Sequence, residues 1–460
     1  MAWAALRFGL AGRWWVGAGG ACRAASGAGA GAGGGAGGLG AELVGYVRAA
    51  RGGGAGGWVP ARAALEHGLS LLEASTTEEQ VQGKLAAAEL ELLAGGGDGP
   101  GRAAALAEGA LSLEPRGDAV FRAWSLRTAA LLRAGEDAAA LTAAEELLGK
   151  ARGGFWGPEE DEQRMQALAS ATALLGTAHL ARLEGAGVGR AEELLEEALT
   201  ILEHAGGGRG SFSAAPALYQ GAVFSLLRAR EAGALRLFEG AAQGAATAAA
   251  AFEGRRGLGE STPLELETRA AALAGAAQAE IRLQRFEAAE ERLSEALELQ
   301  EALFGEGDAR VGGSLLLLGW LYFKTQRVTL AEGLLRKASG LLGCPGLPGT
   351  PAGDVLAAPP CHPSLLVLAL EQLREVISVN EKRATEVEGL SREISGLLKP
   401  TPGRPRTKAG EYPSFASGTV LDVHLMRAWS PGALSRWFGE QRLQSHQSVA
   451  RRRGTPHVAE

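Results

Sequence analysis

Residues 318–338 have the sequence LGWLYFKTQRVTLAEGLLRKA, and this stretch decides the fold. Six positions carry the pattern: Leu318, Gly319, Tyr322, Ala331, Leu335 and Ala338. The first three fall on one face of a predicted helix, and the last three fall on one face of the next helix. Glycine and alanine belong where packed helices approach to about 8–10 Å, because a larger side chain would push them apart. The larger residues fill the gaps between, so the stretch predicts a pair of packed helices.

These six residues resemble the tetratricopeptide repeat, in which an antiparallel helix pair recurs along the chain. The unit upstream matches over residues 286–297, and its Ala289 lies 42 residues before Ala331. The standard repeat is shorter, at about 34 residues. The extra length resembles the kinesin-light-chain type of repeat, in which an extended second helix ends in a glycine-bearing turn. Gly305 and Gly307 are the expected helix stop.

Weaker matches on both sides predict further pairs. They are Ala103, Ala107 and Ala110 before Pro115; Phe121–Ala151; Leu175-Gly176-x-x-His179 with Ala191, Leu195 and Ala198; Ala234, Phe238 and Ala241; and a capping pair, Leu365–Val379 and Lys382–Leu398. We therefore predict an all-α fold, a superhelical array of six or seven antiparallel helix pairs between about 57 and 398, because stacking buries faces that one pair cannot bury alone. The stretch Asp308–Leu398 contains DARVG at 308–312, AEGLLRKA at 331–338 and NEKR at 380–383 before EVE at 386–388. Through these residues it also resembles a plant and algal family of repeat proteins with predicted organelle addresses and no assigned role.

Composition divides the chain into three parts. Residues 1–41 contain no Asp or Glu but three Arg, and their amphipathic pattern is typical of a transit peptide followed by a Gly/Ala linker. We expect a mitochondrial address, with the chloroplast as the alternative and an artefact of the gene prediction as a third reading. The repeat domain is expected over 42–398, with Gly/Pro-rich insertions near 244–262 and 343–363.

Residues 399–460 form a basic, Pro-containing tail with ten Lys or Arg and four acids, expected to be mostly disordered. Within it, Val420–Trp429 and Pro431–Gln444 are candidates for short helices anchored by Trp429, Trp437 and Phe438. One hypothesis is that the tail binds RNA or an acidic partner through its cations. The alternatives are a disordered tail and a mispredicted final exon.

The chain lacks the motifs of the common catalytic sites. It has no phosphate-binding loop, no Gly-x-Ser-x-Gly elbow and no His-Glu-x-x-His. The pair Cys361-His362 has no partner at metal-ligand spacing. A net charge of −6 does not indicate a nucleic-acid surface, and the apolar run near Leu315–Phe323 is about half the roughly 20 residues of a membrane span. We expect a protein without enzymatic activity, cofactor or metal.

The resemblance also implies a binding site, because the first helix of each pair lines the concave groove in such arrays. The groove positions it implies are Leu316, Trp320, Phe323, Lys324, Gln278, Ile281, Arg282 and Leu373. Trp320 and Phe323 are candidate anchors for a partner, although Trp320 could equally pack against the next unit. The groove that clamps chaperone tails needs two Asn, and Asn380 is the only Asn, so we predict no binding of such tails.

These observations favour a non-catalytic protein–protein interaction scaffold of an organelle. An assembly factor or an accessory subunit of a large complex would fit this description. The alternative is an RNA-associated organelle factor that uses the tail.

Overall fold

The structure is a computed structural model that describes residues 76–94, 99–115, 118–153, 161–182, 185–204, 215–256, 263–343, 363–397 and 414–429. The chain divides into two compact units, Met1–Gly83 and Lys84–Glu460. The described part of the first unit is the beginning of one helix. The second unit contains the rest of that helix and all the other elements. The predicted transit peptide and linker, residues 1–41, lie outside the described residues, as does Cys361-His362.

The described residues form fourteen α-helices and one small β-hairpin. The helices are α1 (Thr77–Ala94), α2 (Gly99–Leu111), α3 (Asp118–Ala134), α4 (Asp137–Arg152), α5 (Asp161–Arg182), α6 (Gly185–His204), α7 (Ala215–Leu227), α8 (Glu231–Arg256), α9 (Pro263–Arg282), α10 (Phe286–Phe304), α11 (Ala309–Lys324), α12 (Val328–Leu341), α13 (Pro363–Ser378) and α14 (Ala384–Leu397). A single 3-10 turn, Glu381–Arg383, precedes α14. The strands are β1 (Val420–Asp422) and β2 (Arg427–Trp429).

Within the second unit, consecutive helices pack against each other from α2 to α14. Tight turns join many of them, as at Gly135–Glu136 and Thr325–Arg327, so the packed neighbours run antiparallel. The odd-numbered helices are the first members of the pairs, and we call them A helices. Each A helix from α3 to α11 also contacts the A helix of the next pair. The predicted all-α, superhelical array of helix pairs is confirmed.

The glycine of the decisive stretch marks a close approach between two helices. A Cβ atom on Gly319 of α11 would lie 2.7 Å from Cγ of Leu335 on α12. Gly176 of α5 has the same relation to α6, where a Cβ atom would meet Cγ of Leu195 at 3.0 Å. Ala331, on the facing side of α12, is fully buried. Small residues at these positions therefore set the spacing of the helices, as the pattern predicts.

The long turn between α10 and α11 has the expected helix stop. Gly305 ends α10 with φ of +83°, a conformation that side chains other than glycine rarely adopt, and its N–H donates to the Glu301 carbonyl. Three residues later the Asp308 side chain accepts a hydrogen bond from the Arg310 N–H and caps α11. The 19-residue α10 and the turn from Gly305 to Asp308 together account for the extra length of the repeat.

The described part of one predicted insertion is helical. Over residues 244–256, α8 continues without interruption to Arg256. Residues 245–251 contain six Ala, interrupted only by Thr247, and alanine has the highest helix propensity. The rest of that insertion and residues 344–362 of the second one lie outside the described residues.

Replacing Gly319 by alanine should destabilise the protein by about 1–2 kcal/mol, because overpacking costs about 1–3 kcal/mol and the gain in helix propensity offsets up to about 1 kcal/mol. Gly333→Ala is the matched control on the exposed side of α12, where a Cβ atom would meet nothing within 4 Å. That control should instead stabilise by about 0.5–1 kcal/mol. Urea denaturation of both variants measures the change in the free energy of unfolding, which should be negative for Gly319→Ala and positive for Gly333→Ala. A Gly319→Ala variant as stable as Gly333→Ala would contradict the close approach.

Candidate protein-binding face

Residues Ser414–Trp429, which we call the hairpin segment, form an ordered element inside the predicted tail. A 3-10 turn at Phe415–Ser417 leads into β1, which pairs antiparallel with β2. In this register Val420 faces Trp429 and Asp422 faces Arg427. The short helix predicted over 420–429 is therefore wrong. The rest of the tail, including Trp437 and Phe438, lies outside the described residues.

Local sequence alone does not explain the hairpin. Its strands have three residues each, and an isolated two-stranded hairpin is marginally stable in water. Within the segment, Asp422 Oδ1 accepts a hydrogen bond from the Leu425 N–H at 3.0 Å and orders the turn. The remaining stabilisation comes from the surface beneath it, because Val420, Leu421 and Trp429 are almost completely buried. Tertiary contacts therefore select the strand conformation over a helix.

The surface beneath the segment is formed by the A helices, and we call it the A face. Strand β1 contacts α7 and α9, and strand β2 contacts α13. Towards the start of the segment, the ring of Phe415 stacks on Trp320 of α11, with ring centroids 4.2 Å apart and planes inclined by 13°. Stacked aromatic pairs contribute about 0.5–1.5 kcal/mol beyond the burial of their area. The segment thus lies across several helix pairs.

Two side chains of α9 recognise the backbone of the segment. Gln278 is fully buried, and its Oε1 accepts a hydrogen bond from the Leu421 N–H at 3.0 Å. Arg282 donates through Nη2 to the carbonyl oxygens of Gly418 and Thr419 at 2.9 and 3.0 Å. Contacts to backbone groups do not depend on the side chains of the bound segment. This part of the A face therefore binds an extended chain as such.

Asp422 is the polar centre of the hairpin. Its carboxylate is fully buried and accepts hydrogen bonds from the Tyr219 hydroxyl at 3.0 Å and from Trp429 Nε1 at 3.3 Å. Burial, followed by the charge of Asp422, raises the pKa of Tyr219 well above its ordinary value, so the hydroxyl stays protonated and donates. The Tyr219 oxygen in turn accepts from the His424 N–H at 3.2 Å. Helix α7 is thereby linked to both the strand and the turn.

Strand β2 reaches the helix pair α3/α4 through Arg427. Its Nη2 donates to the Leu132 carbonyl and to Asp137 Oδ1, each at 2.7 Å. Only 4% of the Arg427 side chain is exposed, so its guanidinium is buried against the helix array. On the other side, the Ala428 N–H donates to the Ser364 hydroxyl of α13 at 3.4 Å. The segment therefore contacts pairs that are far apart along the array.

A buried cluster of charges lies beside the hairpin turn. Glu267 of α9 is 4% exposed and pairs with Arg133 of α3 at 3.0 Å and with Arg310 of α11 at 3.3 Å. Arg133 Nη2 also lies 3.4 Å from Nδ1 of His424. Burial raises the pKa of Glu267, but the two guanidinium groups outweigh it and lower that pKa below its ordinary value. A buried carboxylate thus stays ionised between two cations from different pairs.

The eight predicted groove residues all lie on A helices but differ in exposure. Five are buried: Gln278, Ile281, Leu316, Trp320 and Leu373. Phe323 and Arg282 are half-buried, and Lys324 is exposed. Three of the eight, Gln278, Arg282 and Trp320, hold the hairpin segment. Their role in binding another protein stays a prediction.

The sequence pattern did not identify several residues of this site. Tyr219, Asp422 and Arg427 belong to it but match no repeat position. The available signal was the stretch 420–429, which is rich in apolar residues and free of Gly and Pro, within a Pro-containing tail. That signal indicated an anchored element but not its partners.

Within the described residues, no group of three or more His, Cys, Asp or Glu could hold a metal ion. No helix in the same part of the chain is long and apolar enough to cross a membrane.

This chain is similar to a number of solved structures. The crystal structure of BtubC (BKLC) from P. vanneervenii matches with 20% sequence identity over 59% of this chain and 95% of that chain, at a TM-score of 0.38. No protein-family model matches the chain. No curated protein sequence matches it either. The helical repeat fold therefore rests on the packing of the helices themselves.

Proposed function

We propose that this protein is a non-catalytic protein–protein interaction scaffold of the tetratricopeptide type, with long repeats, that works in an organelle. It would serve as an assembly factor or an accessory subunit of a large complex. Stacked helix pairs of this kind present one extended surface made of many helices, which suits the binding of long segments. The repeat fold is consistent with this role.

One observation carries the proposal: the A face already holds an extended segment. It does so with an aromatic stack at Trp320, with a hydrogen bond that Gln278 accepts from a backbone N–H, and with hydrogen bonds that Arg282 donates to backbone carbonyl oxygens. A partner segment that presents an aromatic residue and a free backbone edge would satisfy the same groups. Such a partner would exchange with the hairpin segment, since both need the same side chains.

The organelle is supported by the sequence of residues 1–41. These residues lack acids, contain Arg7, Arg13 and Arg23, and are amphipathic, as transit peptides are. We favour the mitochondrion and keep the chloroplast as the alternative. Proximity labelling in living cells, read against markers of both organelles, separates the two.

Site-specific photo-crosslinking in isolated organelles tests the scaffold. A photoreactive residue at Lys324, exposed at the end of A helix α11, should form an adduct with another protein, and excess synthetic peptide of residues 414–429 should reduce it. The matched control places the same residue at Glu291, exposed on α10, which is the second helix of its pair. Equal adducts from both positions, or an adduct that the peptide leaves unchanged, would refute binding on the A face.

The RNA-associated alternative depends on cations of residues 399–460. Arg427 is one of them, and its ion pair with Asp137 removes it from a phosphate-binding surface. The other nine lie outside the described residues. RNA retention that falls steeply with salt and disappears on removal of residues 430–460 would favour this alternative over the scaffold.

A further inference from the structure

His424 occupies the turn of the hairpin segment, where five charged or titratable groups face it. They come from every element around the turn: Arg133 of α3, Tyr219 of α7, Glu267 of α9, Arg310 of α11 and Asp422 of β1. The rings of Tyr219 and His424 meet edge to face, with centroids 5.6 Å apart. The imidazole is therefore enclosed by groups of the A face.

The contact with Arg133 fixes the protonation state of this imidazole. Nδ1 of His424 lies 3.4 Å from Arg133 Nη2. A guanidinium has donors and no acceptor, so Nδ1 must be the acceptor and must carry no proton. The arrangement thus requires neutral His424 with its proton on Nε2. A proton on Nδ1 would set two donors, and two positive charges, against each other.

We propose that His424 is a pH-sensitive latch of the hairpin segment: the neutral imidazole docks against Arg133, and protonation weakens the docking and uncovers the A face. The inference concerns the segment of this chain and does not depend on the proposed partner. It follows from the geometry, because a cation at this position faces Arg133 directly and Arg310 nearby. Of the two acids that face His424, Glu267 is already shared by those two arginines, and Asp422 already accepts three hydrogen bonds.

The pH range follows from the direction of the shift. Burial and then the charge of Arg133 lower the pKa of His424 below its ordinary value of about 6.5. The undocked segment therefore takes up a proton first as pH falls, and docking weakens from about pH 6.5 downward until the docked form also protonates. Glu267 stays ionised throughout this range, because its pKa is lowered.

Hydrogen exchange of the full chain tests the latch. The reporter amides are those of Leu421, His424 and Leu425, whose N–H groups are bonded in the docked segment. After correction for intrinsic exchange, the equilibrium constant for opening should rise up to about tenfold between pH 7.5 and pH 5.5. Core amides of α11 serve as the internal reference and should keep their protection.

Two substitutions make the test specific. His424→Asn keeps an acceptor near the position of Nδ1 but cannot take up a proton, so its opening constant should not change with pH over this range. His204→Asn, at an exposed histidine of α6, is the matched control and should retain the full wild-type rise. A rise that persists in His424→Asn, or no rise in the wild type, overturns the proposal.

If His424→Asn undocks the segment at every pH, its hydrogen exchange no longer tests the latch. Titration of the His424 imidazole in the wild-type chain then provides the test. In the wild-type chain labelled at histidine carbons, the resonance assigned to His424 should titrate below about pH 6.5. Its absence from the His424→Asn spectrum makes the assignment. Titration at or above that pH would show that the docked segment accepts the cation, and the latch would be refuted.

Discussion

Asp422→Ala should release the hairpin segment from the A face. The substitution removes the acceptor of three donors at once, the Tyr219 hydroxyl, the Trp429 indole N–H and the Leu425 N–H. Each buried donor left unsatisfied costs about 1–3 kcal/mol, so the docked state loses about 3 kcal/mol or more. A loss of that size increases the undocked population roughly a hundredfold.

Trypsin measures this release at a defined bond. The Arg427 side chain is 4% exposed in the docked segment, so cleavage after it requires undocking. The fragment that begins at Ala428 should form roughly a hundredfold faster from Asp422→Ala than from the wild type. Glu381→Ala, at an exposed acid, is the control and should leave the rate unchanged. Equal rates for Asp422→Ala and the wild type would contradict the role of the buried carboxylate.

The second large effect concerns Glu267→Gln, which should destabilise the array by about 3–5 kcal/mol. The amide keeps the shape of the side chain but leaves the buried cations of Arg133 and Arg310 without their shared counter-charge. Arg310 retains Asp308, at 2.8 Å, whereas Arg133 has no second ion pair among the described residues and donates to the neutral Leu92 carbonyl. Most of the loss should therefore arise at Arg133.

Urea denaturation at pH 7.5 compares this variant with a surface control. Glu193→Gln removes an exposed ion pair with Arg190 and should change stability by less than about 0.5 kcal/mol. The wild type should lose the same contribution as pH falls below about 4.5 and through the lowered pKa of Glu267, whereas Glu267→Gln should not. A Glu267→Gln variant that unfolds at the wild-type midpoint would show that the cluster contributes no net stability.

The helix pairs could be predicted because their determinants are local. Gly319 and Leu335 are 16 positions apart in one pair, and the pattern of small and large residues reports their contact directly. The same pattern placed the A helices, and with them Trp320 and Arg282. Residues 244–256 are helical for a related reason, because glycines scattered among alanines do not stop a helix when nothing else competes for the chain.

The hairpin segment could not be predicted from its own sequence. The partners of Leu421 and Arg427 lie 143 and 295 positions away, and no local period reports contacts of that range. Three-residue strands are also too short for an alternating pattern to appear. For the same reason, the sequence pattern predicted that a partner binds the A helices but did not predict that the hairpin segment of this chain covers the A face.

The contacts of Arg427 also bear on the order in which the protein folds. Helix pairs pack mainly against their neighbours, so the array can begin to fold while the chain is still being made. Docking of strand β2 on α3 and α13 must wait until residue 429 has been synthesised. During that interval Trp320, Gln278 and Tyr219 have no cover, and the newly made protein carries an open apolar face. Docking of the hairpin segment is thus the last step of folding, and it covers the surface through which newly made chains could aggregate.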